Sequence, residues 1–353
     1  MLKINEIDFT NQSPIFIVLE AGPTHTGLDS AKKLVDVAVE SGANAIKFQY
    51  MNVDRLMADK KVPFSYRVIT EKNEIEEVTE PLYDILKRRE MPKGDWKKLK
   101  KYCDGKGIVF FSTAMFEEDV DFLVDELEIT SIKLASADIN HLGLIEYMAN
   151  KQINIQVDTG SADIWEIERA ISLIEAQGNK NIIIHLCPTG YPARLESIHL
   201  NMISTLKQLF PDYPIAFSDH NPGWEMDIAA VALGSTLVEK TITLDRKTKS
   251  CEHMFSLEPD EVKRFVKSIR EVEVALGEQR RVFPFEEKEK RKSARRSVYL
   301  NIDIQEGEII NEKHVDFRRP GFGIAVDDWP FVKGRKVKQL LNKGHQLKWS
   351  DLV

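Results

Sequence analysis

The chain has 353 residues, 42% hydrophobic and 30% charged, enough to bury a large core in one big domain with a small one, or in two of middle size. Its formal net charge of −7 argues against a nucleic-acid or anionic-membrane surface, which would demand a basic patch, and favours a small metabolite. No apolar run reaches the roughly 18 residues of a membrane span, and residues 1–11 lack the basic-then-apolar design of an export signal. The expected location is the cytoplasm.

In chain order, short β-rich apolar runs alternate with longer amphipathic stretches. The runs are "IFIVLE" from Ile15, "NAIKFQ" from Asn44, "GIVFFST" from Gly107, "TSIKLAS" from Thr130, "INIQVDT" from Ile153, "NIIIHLC" from Asn181, "PIAFSD" from Pro214 and "STLVEK" from Ser235. Between them lie helical patterns such as "LDSAKKLVDVAVESG", in which Leu34, Val35, Ala38 and Val39 recur at the helical period and Gly42 follows as a stop. Eight strands alternating with helices predict an α/β fold in which a (β/α)₈ barrel closes on itself. An open doubly wound sheet is the alternative, weakened by the lack of any Gly-x-Gly-x-x-Gly after the first strand.

One connection, Met51 to Gly94, is too long for a plain loop and reads as a lid or a solvated excursion. The barrel is expected over residues 1–280, followed by a charged linker at 281–293 carrying "EEKEKRK" and a small β-rich domain at 294–353. Cys103, Cys187 and Cys251 have no metal-ligand spacing and read as small buried hydrophobes.

Catalytic side chains of such a barrel come from the C-terminal strand ends. Those ends carry Glu20, Lys47 with Gln49, Ser112 with Thr113, Lys133 with Ser136 and Asp138, Asp158 with Thr159, Thr189 with Tyr191, Ser218 with Asp219 and His220, and Glu239 with Lys240. Lys47 and Lys133 sit within apolar strands, where an unpaired ammonium would cost several kcal/mol. Each therefore needs an anion. Either Glu20 or Glu239 supplies it internally, or the lysines receive a phosphate-bearing substrate. His220 follows its strand directly, and Asp219 is placed to orient its ring as a metal ligand's outer partner. His185, inside "NIIIHLC", reads as a satisfied core residue.

Nine segments in order, "EAGPTHTG", "ANAIKFQ", "FFSTAMF", "IKLASADI", "DTGSADIWEI", "CPTGYPARLESIHLNMI", "SDHNPGWEMDIAAVALGSTLVEKTITLD", "HMFSLEPDE" and "RRPGFGI", resemble the sialic acid synthase family nearly end to end. The resemblance implies a TIM barrel followed by an antifreeze-like (SAF) domain. It also implies a domain-swapped homodimer that condenses phosphoenolpyruvate with an N-acylated hexose at a divalent metal, manganese or magnesium, to give a nonulosonic acid and phosphate. Carried over residue by residue, it implies that Lys47, Thr113, Lys133, Ser136 and Ser218 hold phosphoenolpyruvate while Glu20 and Tyr191 face the sugar. Glu20 or Asp138 would activate water, His220 would be one of two metal histidines, and Arg319 would reach the sugar's N-acyl group from the partner's SAF domain.

The chain departs from that pattern at several positions. Thr241 stands where the family has its second metal histidine, and Asp158 stands where a hydroxyl contacts the anionic substrate. Thr189 replaces an asparagine, Asp138 a glutamate and Glu252 an aspartate, and the first turn reads Thr24-His25-Thr26-Gly27. With a hydroxyl so weak a ligand, Asp158 or Glu252 is expected to join His220 at the metal. Two other readings stay open from the residues: a keto-acid aldolase using a strand-end lysine as a Schiff base, and a non-catalytic sugar-acid-binding homologue.

Overall fold

Eight parallel strands close on themselves in the computed structural model, which describes residues 3–4, 7–8, 13–278 and 280–353. They are β1 (Phe16–Glu20), β2 (Ala45–Gln49), β3 (Val109–Thr113), β4 (Ser131–Leu134), β5 (Asn154–Asp158), β6 (Ile182–Leu186), β7 (Ile215–Asp219) and β8 (Leu237–Thr241). The eight apolar runs of the sequence are these strands, and each pairs with its sequence neighbour. Closure is made by β8 against β1, with Thr241 opposite Glu20 and Leu237 opposite Phe16. The doubly wound alternative is thereby excluded.

The intervening helices bury one face against the strands. Leu28–Ser41 buries Ala31, Leu34, Val35 and Ala38, and it stops at Gly42, whose φ of 79° is a left-handed conformation that glycine adopts without a Cβ clash. Pro259–Leu276 starts on a reciprocal Glu258–Glu261 cap with proline in its first turn, and buries Val262, Phe265, Val266 and Ile269 at helical spacing.

The excursion after β2 is structured. Pro63–Ile69 and Ile75–Pro81 form an antiparallel hairpin, Leu82–Lys87 is a short helix, and Tyr66, Val68 and Ile85 pack on Cys251 in the connection that follows β8. It is thus an ordered unit packed against the connection that follows β8.

The chain divides into two units, Met1–Gly277 and Glu278–Val353. In the second, β9 (Ser297–Leu300) pairs antiparallel with β10 (Val315–Arg318) over a core that includes Val298, Leu300, Ile304, Ile310 and Leu347. The stretch read as a linker is helical from Phe285 to Ala294 and buries no side chain, so its charges solvate a helix.

Candidate active site

Side chains along a barrel strand face the interior at every second residue. At the N-terminal end these positions are apolar: Phe16, Val18, Ala45, Val109, Phe111, Ile183, Ala216 and Leu237 form one cluster with Ile4. Two residues further along the same strands come Glu20, Lys47, Thr113, His185, Ser218 and Glu239, all buried. The interior thus changes from hydrocarbon to charge within one step of the pleat.

Those charges are linked. Lys47 pairs with Glu20 and lies 3.1 Å from Oε1 of Glu239. Lys133, fully buried, lies 2.8 Å from the other oxygen of Glu239 and 3.0 Å from Asp158 Oδ1. Burial alone would lower the Lys133 pKa, but Asp158 and Glu239 hold it above the usual lysine value. Burial likewise opposes the charge on Glu239, yet Lys133 and Lys47 keep its carboxyl well below the normal range. Three carboxylates face two ammoniums, so the cluster carries a net charge of −1. The internal-pair arrangement therefore exists, and Glu20 and Glu239 both take part.

Beneath it, His185 Nδ1 lies 3.1 Å from Lys133 Nζ and Nε2 lies 2.9 Å from Gln156 Oε1. Burial and the neighbouring ammonium push the imidazole far below its usual pKa, so Nδ1 accepts from Lys133 and Nε2–H donates to Gln156. Ser218 Oγ, 3.1 Å from Lys133, donates to Asp158 at 3.3 Å.

Above the cluster opens a cavity of about 480 Å³. Of the residues singled out from the sequence, Glu20, Lys47, Thr113, Ser136, Asp158, Thr189, Tyr191, His220 and Glu252 line it. Lys133 and Ser218 lie beneath it, Lys133 paired with the lining residues Glu239 and Asp158 and Ser218 bonded to Asp158. Thr113 Oγ1 is buried without a hydrogen-bond partner, a hydroxyl held ready for a ligand. Two glycines shape the wall: a Cβ on Gly22 would lie 2.5 Å from Glu20 Oε1, which accepts the Gly22 N–H, and a Cβ on Gly160 would lie 2.7 Å from Ser136 Oγ. Tyr191, 43% exposed, is tilted against His220 with ring centroids 4.9 Å apart, and Phe255 backs both.

Besides Lys133 and Ser218, three candidates fall outside the lining. Asp138 lies in the short turn Ser136–Asp138; its neighbours Ala137 and Ile139 reach the cavity and it does not, while burial raises its pKa. Thr241 is buried beside Glu20 in the β8–β1 register. Arg319 is exposed in the second unit, just before Pro320.

Sequence reasoning underrated Glu239, the node shared by both lysines, and missed Cys187, which lines the cavity. It also missed Arg89. This buried arginine comes from the excursion and lies 3.8 Å from Glu252, whose φ of 75° is a left-handed conformation unfavourable to a glutamate. Lys240 and Asp219 face the other way, pairing with each other and with Asp227 of the helix Glu225–Ala232.

A model described as the NeuB family matches residues 34–281, and one described as the SAF domain matches residues 295–353. The chain belongs to the NeuB family. It is 32% identical to the N,N'-diacetyllegionaminic acid synthase of Legionella pneumophila, over 99% of this chain and 98% of that one. It is 33% identical to the human N-acetylneuraminate-9-phosphate synthase, over 85% of this chain and 81% of that one. The crystal structure of N-acetylneuraminic acid synthetase from Leptospira borgpetersenii superposes with a TM-score of 0.69 at 29% identity, covering 79% of this chain and 90% of that one. The family resemblance read from the sequence therefore holds, barrel and SAF domain alike.

A divalent ion would find an incomplete set of donors. His220 Nδ1 lies 3.1 Å from the Pro188 carbonyl, which orients the ring with Nε2 as its remaining nitrogen. Asp158 is taken up by Lys133 and Glu252 faces Arg89. No three His, Cys, Asp or Glu side chains converge as a metal cage among the described residues. These residues do not assemble a metal site by themselves.

Proposed function

We propose that the protein condenses phosphoenolpyruvate with the open-chain form of an N-acylated hexose, giving a nonulosonic acid and inorganic phosphate. The observation that carries this reading is the pair of buried ammoniums, Lys47 lining a cavity whose wall holds Thr113 and Ser136, and Lys133 beneath it against the lining residues Asp158 and Glu239. That is the equipment for a compact anion carrying both phosphate and carboxylate.

The enol carbon of phosphoenolpyruvate forms a bond to the sugar's aldehyde carbon, leaving positive charge at C2 and negative charge on the former aldehyde oxygen. Water adds to C2, and Glu20, at the cavity wall, takes one proton from it and passes that proton to the alkoxide. The C2–O bond to phosphate then breaks, the remaining C2 hydroxyl becoming the keto group as its proton leaves with phosphate. Substrate binding exchanges partners: Lys47 and Lys133 turn from Glu20 and Asp158 toward the incoming anion, a trade between buried ion pairs rather than the burial of a bare charge. Incubation with phosphoenolpyruvate and a panel of N-acyl hexosamines, read by phosphate release and product mass, tests the proposal; no new mass on any sugar would overturn it.

A homodimer in which Arg319 of one protomer approaches the sugar on the other's barrel belongs to the same proposal. Sedimentation showing a fully active monomer would remove it. The metal remains a separate proposal: His220 Nε2 as its imidazole ligand and Asp158 or Glu252 as its carboxylate, each first released from its cation. Calorimetric titration of magnesium and manganese, with and without phosphoenolpyruvate, decides it, and no heat in either case removes the ion.

A second reading, a sugar-acid binder without turnover, draws on the neutralisation of both lysines by carboxylates. Its sign is tight binding of a nonulosonic acid with no phosphate released. The Schiff-base aldolase is disfavoured, because that chemistry needs a neutral amine and Lys133 is held in its charged form by Asp158 and Glu239.

A further inference from the structure

Among the described residues three lysines of the barrel are buried, and the proposed chemistry uses two of them, Lys47 and Lys133. The third, Lys240, is fully buried on the outward face of β8, one residue beyond Glu239. An ammonium in that position is costly to desolvate, and only close, well-made contacts offset the cost. Those contacts are concentrated on one loop. Lys240 Nζ pairs with Asp219 and donates to the Asn221 carbonyl, while Asp219 Oδ1 accepts the Asn221 N–H at 3.0 Å. Asp227, from the helix Glu225–Ala232, lies 3.7 Å from the same ammonium. Asp219 and Asn221 stand on either side of His220, so one ammonium fastens both flanks of that histidine to β8.

The imidazole itself is held within that loop. The Pro188 carbonyl, 3.1 Å from Nδ1, can only accept, so Nδ1–H donates to it and the neutral ring keeps a bare Nε2. The His220 carbonyl accepts the Ala193 N–H at 3.1 Å, and the rings of Tyr191 and Phe255 pack on the imidazole. Successive residues of β8 are therefore two nodes facing opposite ways. Glu239 turns inward and joins Lys47 to Lys133, whereas Lys240 turns outward and joins the loop that puts His220 in the cavity wall. With Lys47, Lys133, Thr113 and Ser136 assigned to the anion, the wall of Tyr191, His220 and Glu252 is what remains for the sugar.

We propose that Lys240 is a positioning residue for the sugar side of the site: by fastening Asp219 and Asn221 to β8 it fixes His220 in the cavity wall with Nε2 bare, and so governs how productively the sugar is held. Lys240 is absent from the cavity lining and acts only through His220. The inference rests on the synthase reading for the ligand it serves, while the clamp on the histidine stands on the loop geometry alone.

The test uses the full-length protein, K240M and D219N/K240M. K240M alone leaves Asp219 and Asp227 buried without their cation, so the double variant, which removes a carboxylate together with the ammonium, is the one expected to fold. In it kcat/KM for the N-acyl hexosamine should fall by about ten- to a hundredfold, as for displacement of a positioned group by about an ångström, while the calorimetric affinity for phosphoenolpyruvate stays within about twofold. A parallel loss of both would reduce Lys240 to a packing residue, and no loss in either would leave His220 independent of it; each result overturns the proposal. Long-range proton–nitrogen correlation spectra of the imidazoles at alkaline pH, with the His220 signals assigned by their absence in H220Q, give a readout independent of turnover. The unmodified protein should show His220 in the Nδ1–H form alone, and D219N/K240M a mixture of the two tautomers. That change, with no product from any sugar in the unmodified protein, keeps the clamp and removes the synthase reading. Product from the unmodified protein, with the His220 signals and kcat/KM unaltered in the double variant, does the reverse.

Discussion

The two halves of the barrel interior are built from the same strands and the same inward-facing positions, yet they have opposite chemistry. Phe16, Val18, Phe111 and Leu237 fill the N-terminal half with hydrocarbon, while Glu20, Lys47, Lys133 and Glu239 fill the C-terminal half with ionised groups. The lower half gains stability from each apolar group removed from water. The upper half contains buried ion pairs, which contribute little net stability because desolvation offsets their attraction. A chain selected for stability alone would fill both halves alike, so the difference marks the upper half as the part kept for chemistry.

The sharpest way to break this contrast is to damage each half separately. Phe111→Ala should lower unfolding free energy by about 3–5 kcal/mol through the cavity it leaves, while the fraction that remains folded keeps its activity. Chemical denaturation paired with an activity assay measures both. Lys47→Ala or Lys133→Ala should do the converse, cutting phosphate release by about 10²–10³-fold, as expected for loss of one group that stabilises developing anionic charge. Either variant keeping near-full activity would place its lysine in the structure rather than in the chemistry.

A third prediction concerns the rim. Burial, with the nearby Arg89 charge, lowers the pKa values of His25 and His253 to about 4. Both imidazoles are neutral in the folded protein and titrate near 6.5 once unfolded, so the unfolded chain binds more protons between those values. Stability should therefore fall as pH is lowered through that window, by up to about 3 kcal/mol for each histidine. Unfolding midpoints across pH should show this slope, and it should flatten in His253→Gln. The smallest effect is expected at Asp158: Asp158→Ser frees one face of Lys133 and should lower the phosphoenolpyruvate KM by about tenfold, roughly 1.4 kcal/mol. An unchanged KM would show that Asp158 does not compete with the anion for that lysine.

Much of this contrast was legible in the primary structure. All eight strands were visible as apolar runs, because parallel barrel strands are covered on both faces and carry little polar interruption. The ring of polar strand ends was visible too. Telling Glu239 from Lys240 requires counting the pleat from the apolar cluster: Leu237 faces inward, hence Glu239 does, and Lys240 belongs to the helix layer with Asp219 and Asp227. Asp138 was read as a strand-end carboxylate standing where the family has a glutamate, but the turn at Ser136–Asp138 leaves it out of the cavity lining. Arg89 could not be placed from sequence, because its position beside Glu252 depends on how the long excursion folds back over a loop distant in the chain, and no local period encodes that contact.

On the proposed function, the upper charged layer exchanges its internal ion pairs for an anionic substrate. Calorimetric titration of phosphoenolpyruvate into the unmodified protein and into Lys133→Met tests it most directly. Saturable binding to the former and a loss of at least about a hundredfold in affinity in the latter are predicted, as for removal of a buried, charge-paired contact. Equal affinity in the two proteins would contradict the account and return Lys133 to a purely structural pair with Glu239 and Asp158.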